Sequence, residues 1–221
     1  MISRRTRMTL ATNLALALVA APLLAQTPAS RFVDSARVEI DRAVHDMDPD
    51  RLDRTLLLLD RALVAFPGDP YLLHYRGYAA YWKVAGAMMG GRRDGMAPVI
   101  KQALADLSKS AEHLAWPETV QLEACMNAFL IMMDPGNGPV LGPLTGRLSG
   151  EATKMGPQNP RVLVLQAYLA EGTPASMGGG KARAKALADR AVAALPDDHP
   201  APLAPSWGRE EALALQARLS K

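Results

Sequence analysis

The chain has few groups with which to cross-link itself, bind a metal or perform catalysis. Its 221 residues include a single cysteine, Cys125. No internal disulfide can form, so stability must come from packed apolar surface. The four histidines, His45, His74, His113 and His199, are scattered, with no HExxH pattern and no close Cys/His cluster. No metal ligand set is expected from them. Cys125 lies between Ala124 and Met126 with no histidine at hairpin spacing, the setting of an inert buried thiol rather than a nucleophile. Acidic residues are plentiful but isolated, and no two are placed for paired acid–base work. β-Branched residues are sparse and alanine abundant, which disfavours strands and favours helix throughout. Beyond residue 25, no apolar run approaches the roughly 20 residues needed to cross a bilayer.

Charge is also less than it looks. The formal +3 comes from 25 basic and 22 acidic residues. Three of the basic ones, Arg4, Arg5 and Arg7, stand in the first seven positions, where there is no acid. Without them the two signs balance, so the high pI is no argument for nucleic-acid binding. Those arginines precede an apolar run from Leu14 to Leu24 and then Ala25-Gln26. This is the three-part layout of an export signal, expected to span residues 1–25, with cleavage after Ala25. An uncleaved anchor is the alternative. Ser3-Arg4-Arg5 also matches part of a twin-arginine signal, but Arg7 falls where that signal carries a large apolar residue. The expected location is the periplasm, or outside the cell.

Residues 26–221 suffice for one helical domain. Val33, Ala36, Ile40 and Val44 define a first helix near 30–46, and Asp48-Pro49 caps and starts a second with Leu52, Leu56, Leu59 and Leu63 inward. Further helices follow the same periodicity. Hairpins are expected near 30–65, 70–114, 117–156 and 159–195, with a capping helix at 206–219 whose Glu210 and Glu211 face water. The turn positions Pro67, Trp116, Pro157 and Pro196 are about 40 to 50 residues apart, against about 34 in a regular tetratricopeptide array. Gly/Pro-rich joints near 90–95, 134–139 and 172–180 supply the excess.

On these residues the chain resembles the tetratricopeptide-repeat (TPR) superfamily. Ala62, five residues before Pro67, and Leu59 match the second helix of a repeat, and Gly77, ten after Pro67, matches the first helix of the next. Ala152 and Ala167 repeat the pattern around Pro157, and Ala184 and Ala191 precede Pro196 at both small positions. The family's first-helix aromatic is replaced by Leu73 and Leu163, and the Trp116 hairpin lacks the proline in register. The resemblance covers roughly residues 49–195 and implies an all-α, right-handed solenoid of TPR-like hairpins. From Asn159-Pro160-Arg161 to Trp207-Gly208 the chain is also similar to a group of exported bacterial repeat proteins of unknown role, in which a Gly-rich joint precedes a Lys/Ala helix.

Met177-Gly178-Gly179-Gly180-Lys181 has the look of a phosphate loop, but no strand precedes it and no Ser or Thr follows the lysine. It reads as a hairpin joint, as does Met89-Gly90-Gly91. Arg51, Arg54 and Arg61 alternate with Asp53 and Asp60 as a solvated face carrying ion pairs. The richer set is aromatic. Tyr75 and Trp82 are assigned to the core, whereas Tyr71, His74, Tyr78 and Tyr81 are the candidates for a partner-binding groove, or else for packing between hairpins.

Repeat arrays hold partners rather than catalyse. The sequence therefore leads us to expect a non-catalytic protein–protein interaction scaffold of the cell envelope, with a protein or peptide partner and no cofactor. The alternative is a periplasmic small-molecule carrier associated with transport, which requires an enclosed apolar cavity between hairpins.

Overall fold

A computed structural model describes residues 29–221, and the expected export signal lies outside them. Nine α-helices follow in order: α1 (Ser30–Asp46), α2 (Pro49–Ala65), α3 (Pro70–Met89), α4 (Met96–Ala111), α5 (Pro117–Met133), α6 (Gly138–Met155), α7 (Pro160–Gly172), α8 (Lys181–Ala194) and α9 (Arg209–Leu219). Consecutive helices pack against each other, α6 with α7 excepted, giving the expected all-α solenoid of hairpins. Among the described residues no helix is long and apolar enough to cross a membrane.

A recurrent local device starts the helices. Asp48, Asp69 and Asn159 each precede a proline at the first helical position, where its missing N–H costs nothing. Each turns its side chain back to accept from the first free backbone amides. Asp48 accepts from Arg51 N at 3.0 Å, Asp69 from Tyr71 N and Leu72 N at 3.0 Å, and Asn159 from Arg161 N at 3.0 Å. Such caps are each worth about 1 kcal/mol.

The small repeat positions do the packing assigned to them. Ala62, Ala152, Ala167, Ala184 and Ala191 are all buried. Gly77 lets α3 close onto α4, since a Cβ there would stand 2.5 Å from Leu107 Cδ2. Polar side chains fix the same pair of helices, as Arg76 grips buried Asp106 through Nε and Nη2 at 2.6 and 2.5 Å. The charges of α2 pair mostly with neighbouring helices: Arg51 with Glu39, Asp53 with Lys83, Asp60 with Arg76. One extended core runs through α1 to α5, around Leu59, Tyr75, Ile100 and Leu107, and a second joins α7, α8 and α9 around Val164, Ala188 and Leu215.

Two features were not foreseen. The segment between α8 and α9 folds back across the array. Leu203 packs against the first core and its carbonyl accepts from the Tyr75 hydroxyl at 3.1 Å, while Trp207 is buried. Arg161 pins the start of this segment, reaching Asp198 at 2.6 and 2.7 Å and buried Glu118 at 2.7 Å. The last helix consequently begins at Arg209. Glu211 is half-buried and returns to cap that helix by accepting from Gly208 N at 3.0 Å, which corrects the expectation that it faces water.

The second feature is the isolation of α6. It lies along α5 but meets α7 chiefly around Ala152 and Val162, close to the 156–159 turn. Pro143, inside α6, removes one helical hydrogen bond from its early turns.

Candidate functional site

A cleft of about 800 Å³ opens where α6 parts from α7, a size within the range of small-molecule sites. α5 contributes Phe129 and Met132, α7 contributes Tyr168 and Leu169, and the 172–180 joint contributes Pro174 and Met177. The α6 wall is different. Gly138, Gly142, Gly146 and Gly150 recur every four residues and all border the cleft. A Cβ added at Gly142, Gly146 or Gly150 would meet nothing within 4 Å. Glycine weakens a helix by about 0.5–1 kcal/mol per residue relative to alanine, so this stripe costs stability without relieving any internal crowding. What it provides is a flat wall of exposed backbone.

The closed end of the cleft is polar and internally satisfied. Gln166 Nε2 shares its two N–H groups among three acceptors, Gln121 Oε1 at 3.1 Å, the Ser149 carbonyl at 3.1 Å and Thr153 Oγ1 at 2.8 Å. One side chain of α7 thereby ties α5 and α6 together at the base. At the rim, Arg183 borders the cleft and its guanidinium donates to the Gly178 carbonyl. The joint carrying Gly178 is held by backbone packing. Gly179 N donates to the Pro174 carbonyl at 3.0 Å, and a Cβ on Gly179 would lie 2.2 Å from the Thr173 carbonyl oxygen. The glycine run is the hairpin joint read from sequence.

The thiol and phenols that border the cleft are held protonated. Burial pushes the Cys125 thiol up to about 12 and the Tyr168 phenol up to about 12, and it raises the Tyr81 phenol as well. Neither a thiolate nor a phenolate is available at neutral pH. No histidine borders the cleft. Among the described residues no group of three or more His, Cys, Asp or Glu is arranged to hold a metal.

The aromatic set chosen from sequence is placed differently from expectation. His74 is fully buried, its Nδ1 2.8 Å from Thr119 Oγ1, and burial pushes its pKa down to about 3, so the ring is neutral. Tyr78 is 1 % exposed and covered by Trp207. Tyr71 is half-buried with its edge on Trp116, centroids 5.4 Å apart. The expectation that His74 and Tyr78 face an open groove is therefore corrected, because the chain's own C-terminal segment and the α5 start cover them. Tyr81 is buried too, at 3 %, but borders the α6–α7 cleft and packs on Phe129. Sequence reasoning missed the α6 stripe, although its signal is plain: four glycines spaced by four within a helix.

No protein-family model matches the chain, and no curated protein sequence matches it significantly. Two solved structures are similar to it. The HusA haemophore from Porphyromonas gingivalis matches with a TM-score of 0.67 and 22 % identity, covering 85 % of this chain and 92 % of that one. A thermophilic TPR protein from Thermus thermophilus matches with a TM-score of 0.48 and 20 % identity, covering 83 % of this chain and 89 % of that one. The haemophore likeness is one of fold.

Proposed function

We propose that the chain is a non-catalytic carrier that holds a flat, apolar small molecule between α6 and α7. The observation that carries this reading is the glycine stripe facing an unfilled cleft. A bare backbone wall opposite Leu169 and Tyr168 suits a planar ring system, which gains contact over its whole face. The fold likeness to a haemophore is an analogy at the level of architecture. It supports tetrapyrroles as the ligand class to try first. Tyr81, alone among the four residues chosen from sequence, is proposed as a ligand contact, and Arg183 as the partner of a ligand carboxylate at the rim. The leader-like residues 1–25 support an exported carrier.

With no histidine at the cleft and its thiol and phenols protonated, ring stacking would carry most of the hold on a haem, with the thioethers of Met132 and Met177 as the side chains there able to ligate iron. Titration of haemin and of iron-free protoporphyrin, followed by absorbance and by quenching of tryptophan fluorescence, tests this. Comparable saturable binding of both is expected. If neither saturates, the tetrapyrrole reading falls.

The second reading is a partner scaffold, favoured by the same stripe. Small residues spaced by four allow a second helix to approach closely. A docked partner helix would then replace the small molecule in the cleft, and the solenoid would serve protein–protein interaction as TPR arrays do.

A further inference from the structure

On the other side of Tyr168 lies a second, separate pocket of about 460 Å³, bounded by α1, α3, α7 and the start of α9. Its walls are aromatic. Trp82 and Tyr168 meet edge to face with centroids 6.1 Å apart, and Trp207 contributes an indole that is 7 % exposed. Its polar groups are mainly carboxylates from two distant parts of the chain: Asp41 of α1, and Glu210 and Glu211 of α9. Glu211 is occupied with the Gly208 amide, and Glu210 approaches His45 at 3.5 Å. Asp41 has no hydrogen bond or ion pair among the described residues. Arg37, one turn away, approaches Asp34 at 3.6 Å and donates to Ser206. The remaining basic neighbours are His45 and the exposed Arg209. The pocket thus carries an excess of negative charge against indole and phenol faces.

We propose that this pocket binds a small organic ammonium, with Asp41 and Glu211 as counter-charges and Trp82, Tyr168 and Trp207 as its aromatic walls. Aromatic faces attract cations through their quadrupole, most strongly where water is partly excluded. Asp41 is unpaired and open to solvent beside these rings, so an ammonium can reach it and be paired there at little dehydration cost. The protein around the Asp41 carboxyl raises it to about 6, with Glu211 and Glu210 adding repulsion that Arg37 opposes only in part, the condition that a cationic ligand relieves. An inorganic ion fits less well, because no three ligating side chains converge among the described residues, whereas a methylated or primary ammonium gains from the rings themselves.

The probe is choline, titrated into the full chain at pH 7.5 and low salt, with its neutral isostere 3,3-dimethylbutan-1-ol as control. Trp82 and Trp207 provide the fluorescence signal and calorimetry a second readout. Saturable choline binding with a Kd on the order of 1 mM or tighter is expected, with the isostere at least about tenfold weaker. Asp41→Asn, a change at an exposed side chain that leaves the thermal midpoint near that of the parent, should weaken choline about tenfold. Glu211→Gln gives the second arm, and Gly146→Leu should leave choline binding unchanged because it alters the other cleft. Equal binding of choline and isostere would overturn the proposal. So would unchanged binding in both acid variants, or no saturation with either choline or the diamine putrescine.

Discussion

Trp207 lies flat on Tyr78, ring centroids 4.5 Å apart and planes 13° from parallel. The two residues are far apart in sequence, and their contact buries the Tyr78 face of α3. The α3 surface that carries Tyr78 is covered by the chain's own C-terminal segment.

Trp207→Ala removes a buried indole from that stack. A loss of about 3–5 kcal/mol is expected, read as a shift of the urea midpoint at unchanged slope. Trp207→Phe keeps a ring in place and should recover most of it. A Trp207→Ala loss below about 1 kcal/mol would show that the segment contributes little to the fold.

Arg161 anchors the same segment from the other side, between Glu118 and Asp198. Arg161→Met leaves Glu118, itself buried, without its cation. A destabilisation of about 3–5 kcal/mol is expected. In the Arg161→Met, Glu118→Met double variant, much of that loss should return, because no unpaired charge is left behind.

At Gly146, stability and binding should move in opposite directions. Gly146→Ala adds a helix-favouring methyl in open space and should stabilise by about 0.5–1 kcal/mol. Gly146→Leu projects a branched side chain into the cleft and should abolish porphyrin binding while the thermal midpoint stays at or above that of the parent. Retained binding in a well-folded Gly146→Leu protein would exclude this cleft as the ligand site.

Arg183 stands at the rim, exposed to solvent. Arg183→Ala should weaken a carboxylated porphyrin by about 0.5–1 kcal/mol at low salt and leave its uncharged ester unaffected. Added salt should erase the difference, since an exposed ion pair is screened.

Glu123 of α5 is pushed up from 4.5 to about 7, by burial first and by Glu151 of α6 second. A carboxyl whose value is raised on folding favours the folded state while protonated. Its contribution is fully present below about 4.5 and is lost as pH rises toward about 7. Glu123→Gln should therefore raise stability at pH 8, by on the order of 1 kcal/mol after solvent screening, and change little at pH 4. Thermal melts at the two pH values check the sign.

The helices and their order were legible because each rests on local chemistry. Periodic leucines and alanines, an Asp or Asn before a proline, and small residues at the turns act within a few residues of themselves. The position of Gly77 was legible for the same reason, as an absent Cβ implies a close neighbour whatever that neighbour is. The exposure of Tyr78 was not. Its helix is apolar nearly all round, so periodicity alone gives no outward face, and the ring that covers it arrives from the distant 198–208 segment. Glu211 was misread on similar grounds, because a charged residue in a terminal helix looks solvent-facing until the preceding chain turns its amide toward it.

The glycines of α6 were visible in the sequence, but their meaning depended on which helix lay opposite. Sequence by itself determined an all-α solenoid of helical hairpins with a neutral body. Tertiary structure decided where that body is hollow. α6 meets α7 chiefly near the 156–159 turn and the C-terminal segment covers Tyr78, and both outcomes follow from long-range packing that no local propensity encodes.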